Sequence, residues 1–379
     1  MVQVAASILI AYLVTFFLMP FIIKLAKQSK LYDVPDERKT HNYLISSLGG
    51  IGIFTGLAIS LLLTSDFKFN NSEFQYHLAG FFIIFTIGII DDIFVLRPWK
   101  KVLGQLITAA IISFKANLLI TNLDGFLGIY QLSATASYIL SFFIIMLIIN
   151  AFNLIDGVDG LAASLGLISC VIFALFFLIN HNFPYAILGF AMAGSLLSFL
   201  VFNFHPAKIF MGDSGSMLIG LVNAVLLLKF INTGNTVTDY PVPSAPALGF
   251  GILLIPLMDV LRVICVRIGR GRSPFSADRN HVHHMLLNRG FSHAKVTTLL
   301  ISASLAFSVG TIFFRHFNIN ILFASQVSLF FIGITAFYYA KPSKNALRIV
   351  SRQPEQANNG TVKVFSLFRQ KEKAVVKEE

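Results

Sequence analysis

Two amides and two carboxylates fall within the ten residues from Asn150 to Asp159, in the stretch Asn150-Ala-Phe-Asn153-Leu-Ile-Asp156-Gly157-Val-Asp159-Gly160-Leu-Ala162, with long apolar runs on both sides. Such groups are costly in hydrocarbon, so a chain that keeps them beside membrane spans is using them. Gly157 and Gly160 permit tight backbone geometry next to Asp156 and Asp159, so this loop can approach a ligand closely. A simple turn needs one Asp or Asn, not four.

Four further clusters carry chemistry of the same kind. Asp91-Asp92 is followed by Arg97, Lys100 and Lys101. Adjacent carboxylates repel unless a cation or a proton lies between them, so this pair points to a metal, a general base or a shifted pKa, with a solvated helix end as the plain reading. Lys100 and Lys101 are placed to hold a phosphate. The segment Asn203-Phe-His205-Pro-Ala-Lys208-Ile-Phe-Met-Gly212-Asp213-Ser214-Gly215-Ser216 leads into an apolar run. Asp213-Ser214 there is either a helix N-cap or a carboxylate for a metal beside amides for a phosphate. Arg267, Arg270 and Arg272 precede Asp278-Arg279-Asn-His281-Val-His283-His284. Histidines among arginines suit a polyanion such as a diphosphate better than zinc, for which no cysteine partner stands at ligand spacing. Asp36-Glu-Arg38-Lys39-Thr-His41 followed by Gly49-Gly50-Ile-Gly52 reads as positive-inside anchoring and helix packing. Asp259 and Arg262, one turn apart, are expected to pair, and His77, His181 and His316 to be interfacial.

The elements that position these groups are membrane spans. Of 379 residues 56% are hydrophobic and only 12% charged, about half the soluble norm, and the mean hydropathy is +0.76. The pattern predicts an all-α, polytopic membrane protein of about eleven transmembrane helices, near residues 4–23, 48–65, 77–96, 102–120, 134–150, 160–180, 185–203, 214–231, 247–268, 296–314 and 320–340. The first reads as a retained anchor, since its lysines follow it. Setting the N-terminus outside and the C-terminus in the cytoplasm leaves only Lys68, Lys115, Lys229 and Arg315 on the outer side or in the outer half of a span, and places nearly all of the polar clusters at cytoplasmic helix ends, with His77, His181 and His316 at outer boundaries. The net charge of +11 therefore tracks membrane side and does not form a nucleic-acid patch. Cys170 and Cys265 fall inside spans and read as small buried residues. Residues 1–340 form the membrane domain, and 341–379 read as a basic, mobile cytoplasmic tail near anionic lipid, with partner docking as the alternative.

In this order the motifs Asp91-Asp92, Asn150-x-x-Asn153-x-x-Asp156-Gly-x-Asp159-Gly-Leu-Ala, Phe210-Met-Gly-Asp213-x-Gly-Ser and Ala277-Asp278-Arg279-x-His281-x-His283-His284 resemble those of the polyprenyl-phosphate N-acetylhexosamine-1-phosphate transferase family, a glycosyltransferase 4 type. The resemblance covers roughly residues 33–290 and is greater to the WecA/TagO-like branch than to the related MraY branch. The chain departs from the family at Leu44-Ile45-Ser46-Ser47 and in the spacing from the Asp pair to Lys100 and Lys101. The resemblance implies transfer of a sugar 1-phosphate, from UDP-N-acetylglucosamine, to undecaprenyl or another polyprenyl phosphate. UMP is released and lipid-linked cell-envelope glycan synthesis begins. It implies Mg2+, with Mn2+ able to substitute, and multi-pass residence in the cell membrane with the active site on the cytoplasmic face. It leaves room for a homodimer. By matching positions, Asn153 and Asp213 are metal ligands, Asp91, Asp92, Asp156 and Asp159 are catalytic, and Lys100, Lys101, Arg279, His281, His283 and His284 bind substrate. Rival readings are the same chemistry on UDP-MurNAc-pentapeptide or a UDP-diacetamido sugar, a double displacement through an Asp, and, from another class, a secondary transporter. Transporters keep their polar residues near the midplane of repeated halves, whereas here they gather at one face and no repeat is visible.

Overall fold

The computed structural model describes residues 1–29, 45–65, 72–237, 239–271, 273 and 281–339. The first-loop residues Asp36 to His41, the pair Asp278 and Arg279, and the tail 341–379 lie outside the described residues. The helices follow as α1 (Val2–Gln28), α2 (Gly49–Thr64), α3 (Ser72–Phe94) and α4 (Pro98–Ala110), which runs on into a π-helical turn, Ile111–Lys115. An antiparallel hairpin of β1 (Asn122–Phe126) and β2 (Ile129–Gln131) separates these from α5 (Ala134–Ile155), α6 (Leu161–Ile179), α7 (Phe183–Asn203), α8 (Gly212–Gly234), α9 (Ala245–Ile252), α10 (Leu254–Gly269), α11 (Val282–Asn288), α12 (His293–Phe313) and α13 (Ile319–Tyr339).

Eight of these helices are long and apolar enough to cross a membrane, or nine if α9 and α10 count as one bent span. The expectation of eleven differs at three places. A single run was expected over 247–268, but the chain breaks at Leu253 and turns by 84° between α9 and α10. The run at 48–65 gives α2, whose 16 residues rise about 24 Å, short of the roughly 30 Å of hydrocarbon. The run at 102–120 starts earlier, because Pro98 is preset for the first helical turn, and its regular helix ends at Ala110. The all-α expectation holds apart from the small hairpin, which lies between the runs expected at 102–120 and 134–150.

Helix α8 is the axis of the bundle. Apart from Asp213, Asn223, Lys229 and Asn232 it is apolar or small all round, as a helix enclosed by others must be, and it is far more buried than α1 or α13. Helices α2, α3, α5, α6 and α9 surround it. Small residues set how close they come: a Cβ on Gly88 of α3 would stand 2.3 Å from the Ser214 Cα of α8. The start of α2 is tied to the lead into α8 by backbone hydrogen bonds, from the Gly49 N–H to the Phe210 carbonyl (2.9 Å), the Gly50 N–H to the Met211 carbonyl (2.8 Å) and the Phe210 N–H to the Ser46 carbonyl (2.8 Å). The glycines after the first loop thus serve packing, as expected.

At the other end of α8, Lys229 donates to Glu73 of α3 at 3.0 Å, and the Tyr185 hydroxyl of α7 donates to the same carboxylate oxygen at 2.5 Å. The Lys229 ammonium stands 4.7 Å from the Tyr185 ring centroid. His77, expected at the interface, is instead fully buried beside Phe74 and Tyr185. Cys170 is buried as expected, whereas Cys265 is exposed on α10, because that helix presents one side outward from the bundle.

Gly88→Ala is expected to push α3 off the first turn of α8, at a cost of about 1–3 kcal/mol. Thermal unfolding of the detergent-solubilised variant measures this, and a melting temperature equal to wild type would contradict the packing described.

Candidate active site

Four helix termini meet at one end of the bundle, and each delivers a polar side chain. From the end of α3, the Asp92 carboxylate accepts the N–H groups of Asp213 (2.7 Å) and Ser214 (3.1 Å) and the Ser214 hydroxyl (2.6 Å). These belong to the first turn of α8, whose N–H groups have no partner within the helix and whose dipole favours an anion. Asp92 is therefore the cap of α8. Asp213 does not cap its own helix, so its carboxylate is left to face the site. There it accepts a hydrogen bond from Asn153 Nδ2 at 2.8 Å, near the end of α5, and another from Lys101 in the first turn of α4. Asn153 Nδ2 also donates to Ser216 Oγ at 3.0 Å. This directs Asn153 Oδ1 to Lys101 Nζ, 3.2 Å away, while Asp91 Oδ2 lies 3.4 Å from the same ammonium. The Leu96 N–H holds the other Asp91 oxygen at 2.6 Å.

Oxygens of Asp91, Asp213 and Asn153 therefore converge on one point, held by the Lys101 ammonium. Two carboxylates and an amide carbonyl are the hard donors that Mg2+ takes, and the set contains no nitrogen or sulfur that would favour zinc. Of the two lysines read from sequence, only Lys101 is in the cluster. Lys100 is exposed and stands 5.8 Å from the Trp99 ring centroid. Asn150 also turns elsewhere, donating to Gln105 of α4 at 3.1 Å and to the Met146 carbonyl at 2.8 Å.

The two aspartates of the loop between α5 and α6 have different surroundings. Asp156 ends α5 and is half-buried. Loss of water, with Asp213, Asp92 and Asp159 nearby, pushes its carboxyl up to about 8. Asp159 is buried and turned toward His205 (Nδ1 to Oδ2, 2.8 Å) and His293 (Nδ1 to Oδ1, 3.7 Å). Burial pushes Asp159 up, but the imidazoles of His293 and His205 and the Ala207 N–H more than offset it and hold it at about 2. Gly160 has a φ of 73° and Gly157 lies against His283, where a Cβ would stand 2.4 Å from the ring's Nε2. The tight geometry expected of these glycines is thus used to seat the histidine segment on the Asp156 turn.

Three histidines come to the site in unequal states. His281 and His283 are buried, and His284 is half-buried. His281 Nδ1 lies 2.9 Å from Asp259 Oδ2, and the Val282 N–H donates to Asp259 Oδ1 at 2.8 Å. Arg262 also reaches Asp259, at 3.4 Å, so the expected ion pair exists, but the shorter bonds go to His281 and the start of α11. Burial first, then the neighbouring His284, pushes His283 down to about 3, so it is neutral near pH 7. The role of Asp259 as a brace for His281 had no signal in the sequence, because 22 residues separate the two. His293 lies outside every motif, and nothing local marked it.

The raised Asp156 carboxyl has a signed consequence. Its pKa is 3.8 in the unfolded chain and about 8 when folded, so the unfolded chain loses the proton first and stability falls as pH rises between these values. In EDTA-treated protein, Asp156→Asn removes that loss. Its melting temperature is expected to gain on wild type progressively from pH 5 to pH 8, measured in parallel thermal melts. A difference independent of pH would refute the assignment.

Residues 74–231 match the family model described as glycosyl transferase family 4. The chain is 34% identical over 335 residues to a decaprenyl-phosphate N-acetylglucosaminephosphotransferase of Mycobacterium leprae, covering 82% of this chain and 84% of that one. It is 34% identical over 315 residues to the protein of the same name from Mycolicibacterium smegmatis, covering 77% of each. It is 31% identical over 327 residues to the undecaprenyl-phosphate alpha-N-acetylglucosaminyl 1-phosphate transferase of Escherichia coli K12, covering 84% of this chain and 86% of that one. A cluster of carboxylates, amide and lysine at one end of a helical membrane bundle, together with similarity at this level over most of both chains, establishes that the chain belongs to glycosyl transferase family 4, among the polyprenyl-phosphate N-acetylglucosamine-phosphate transferases.

Proposed function

We propose that this protein transfers N-acetylglucosamine 1-phosphate from UDP-N-acetylglucosamine to a polyprenyl phosphate such as undecaprenyl phosphate, at the cytoplasmic face of the cell membrane, releasing UMP. The product is the lipid-linked diphosphate sugar that begins a cell-envelope glycan. The observation that carries this reading is the convergence of Asp91, Asn153 and Asp213 around Lys101. The donor and acceptor names of the relatives supply the substrates. In this reading α2 and the run from α4 through the π-helical turn also cross the bilayer, which gives eleven passages, an outer N-terminus and a cytoplasmic C-terminus. The one-sided distribution of Lys and Arg supports that orientation.

The reaction joins two anions. An oxygen of the lipid phosphate forms a bond to the β-phosphorus of the nucleotide sugar, and the bond from that phosphorus to the bridging oxygen breaks, with UMP leaving on its own oxygen. Asp91, Asn153 and Asp213 would hold Mg2+, which would supply the charge neutralisation that two phosphates need in order to approach. Lys101 is the side-chain cation at the same point, placed to pair with a phosphate oxygen. Asp92 acts through Asp213, by fixing the first turn of α8. His283, neutral and buried, offers a hydrogen bond and not a positive charge. Asp259 holds one nitrogen of His281, which sets the direction in which the other nitrogen points. No covalent nucleophile is needed in this reading.

Purified protein with a polyprenyl phosphate and Mg2+ is expected to release UMP from UDP-N-acetylglucosamine, and release stops with EDTA. Turnover of a different UDP-sugar in its place would overturn the donor, and full activity in Asp213→Ala would overturn the metal ligands. Lys101→Ala is expected to lose on the order of 10²-fold or more in kcat/KM, whereas Lys100→Ala stays near wild type. Equal losses in the two lysine variants would contradict the distinct positions of these side chains. Asp259→Asn is expected to lower kcat more than it raises KM, with partial recovery in Asp259→Glu. No recovery would mark Asp259 as serving stability alone.

A further inference from the structure

A second cluster of donor atoms lies apart from the Lys101 point. It is built from three segments far apart in sequence: Asp159 in the loop between α5 and α6, His205 in the loop after α7, and His293 at the first position of α12. One ligand atom from each lies within 4.8 Å of the other two. Both imidazoles present their Nδ1 to one carboxylate, at 2.8 Å for His205 and 3.7 Å for His293. The longer of these separations exceeds a hydrogen bond. The two contacts go to different oxygens, Oδ2 for His205 and Oδ1 for His293, so each oxygen of the carboxylate faces an imidazole nitrogen. The two rings are stacked, with centroids 5.5 Å apart and planes at 24°.

From this juxtaposition we propose that Asp159, His205 and His293 form a binding site for a borderline divalent transition metal, Zn2+ foremost, distinct from the oxygen-only Mg2+ site. Two imidazoles and a carboxylate favour Zn2+, Co2+ or Ni2+ over Mg2+, the reverse of the preference at Asp91, Asn153 and Asp213. The carboxylate is already braced. The Ala207 N–H donates to Asp159 Oδ2 at 3.3 Å, and the Thr297 hydroxyl donates to the Asp159 carbonyl at 2.8 Å, which fixes the loop that carries it. Outer partners of this kind are what a ligand needs to keep its direction. The His205 side chain is 42% exposed, which gives an ion a way in and a position for water as a fourth ligand. An ion here cross-links the Asp156 turn, the segment that runs on to Asp213, and the start of α12, so binding stabilises the folded chain by mass action.

The test uses the full-length protein in detergent, cleared of metal with EDTA and then titrated with Co2+ in the presence of excess Mg2+. Wild type is expected to bind one Co2+ per chain with the visible ligand-field band of nitrogen and oxygen ligation, and Zn2+ removes the band. His205→Ala and His293→Ala each weaken Co2+ binding at least about 100-fold, while His283→Ala leaves it unchanged. Zn2+ raises the melting temperature of wild type but not of His205→Ala, a second readout for a substitution confined to an exposed loop. Absence of Co2+ binding in wild type, a band that survives in both triad variants, or a band lost in His283→Ala would each overturn the site.

Discussion

The arrangement depends on one interaction, the Asp92 carboxylate seated on the first turn of α8. A helix enclosed on all sides cannot send the unpaired N–H groups of its first turn to water, so another side chain must meet them. Asp92 meets two of them together with the Ser214 hydroxyl. Because that demand is satisfied from α3, Asp213 in the same turn is left to accept from Lys101 and Asn153. The carboxylate next in sequence, Asp91, then reaches the Lys101 cluster by virtue of being one residue along the same helix end. Two adjacent aspartates thus divide, one bracing α8 and the other joining the Lys101 cluster.

The rest of the bundle brings opposed charges together. Three oxygen donors from three helices converge, and the Lys101 ammonium offsets their repulsion. A second set of constraints holds the histidine segment. Asp259 fixes His281 and the start of α11, while Gly157 leaves room for His283 against the Asp156 turn. Each wall of the site is therefore fixed by a group outside it.

Much of this was legible in the sequence because carboxylates, amides and histidines are conspicuous among apolar residues. The apolar runs located the long helices, and Asp91, Asn153 and Asp213, each singled out in the sequence, converge on Lys101. What was hidden depends on direction or on distance along the chain. Sequence could not separate Lys100 from Lys101, since one residue rotates a side chain by about 100° around a helix. It could not show that Asp92 caps a helix more than a hundred residues away, that Asp259 belongs to His281, or that His77 is buried. The break at Leu253 escapes hydropathy, since the apolar run continues past it, and its one local mark is Pro256, which cannot donate to the Ile252 carbonyl one turn before.

The Glu73–Lys229 pair acquires a meaning beside the Asp92 cap. Helices α3 and α8 are stapled at both extremities, by Asp92 at one and by Glu73 at the other. A slip of even one residue along their shared axis, about 1.5 Å, breaks both staples at once, so the two helices move as a single strut. Asp91 and Asp213 ride on that strut and keep a constant separation. Any adjustment of the site to donors of different size therefore falls to the walls outside it, α4 with Lys101 on one side and the bent α9–α10 pair with the histidine segment on the other.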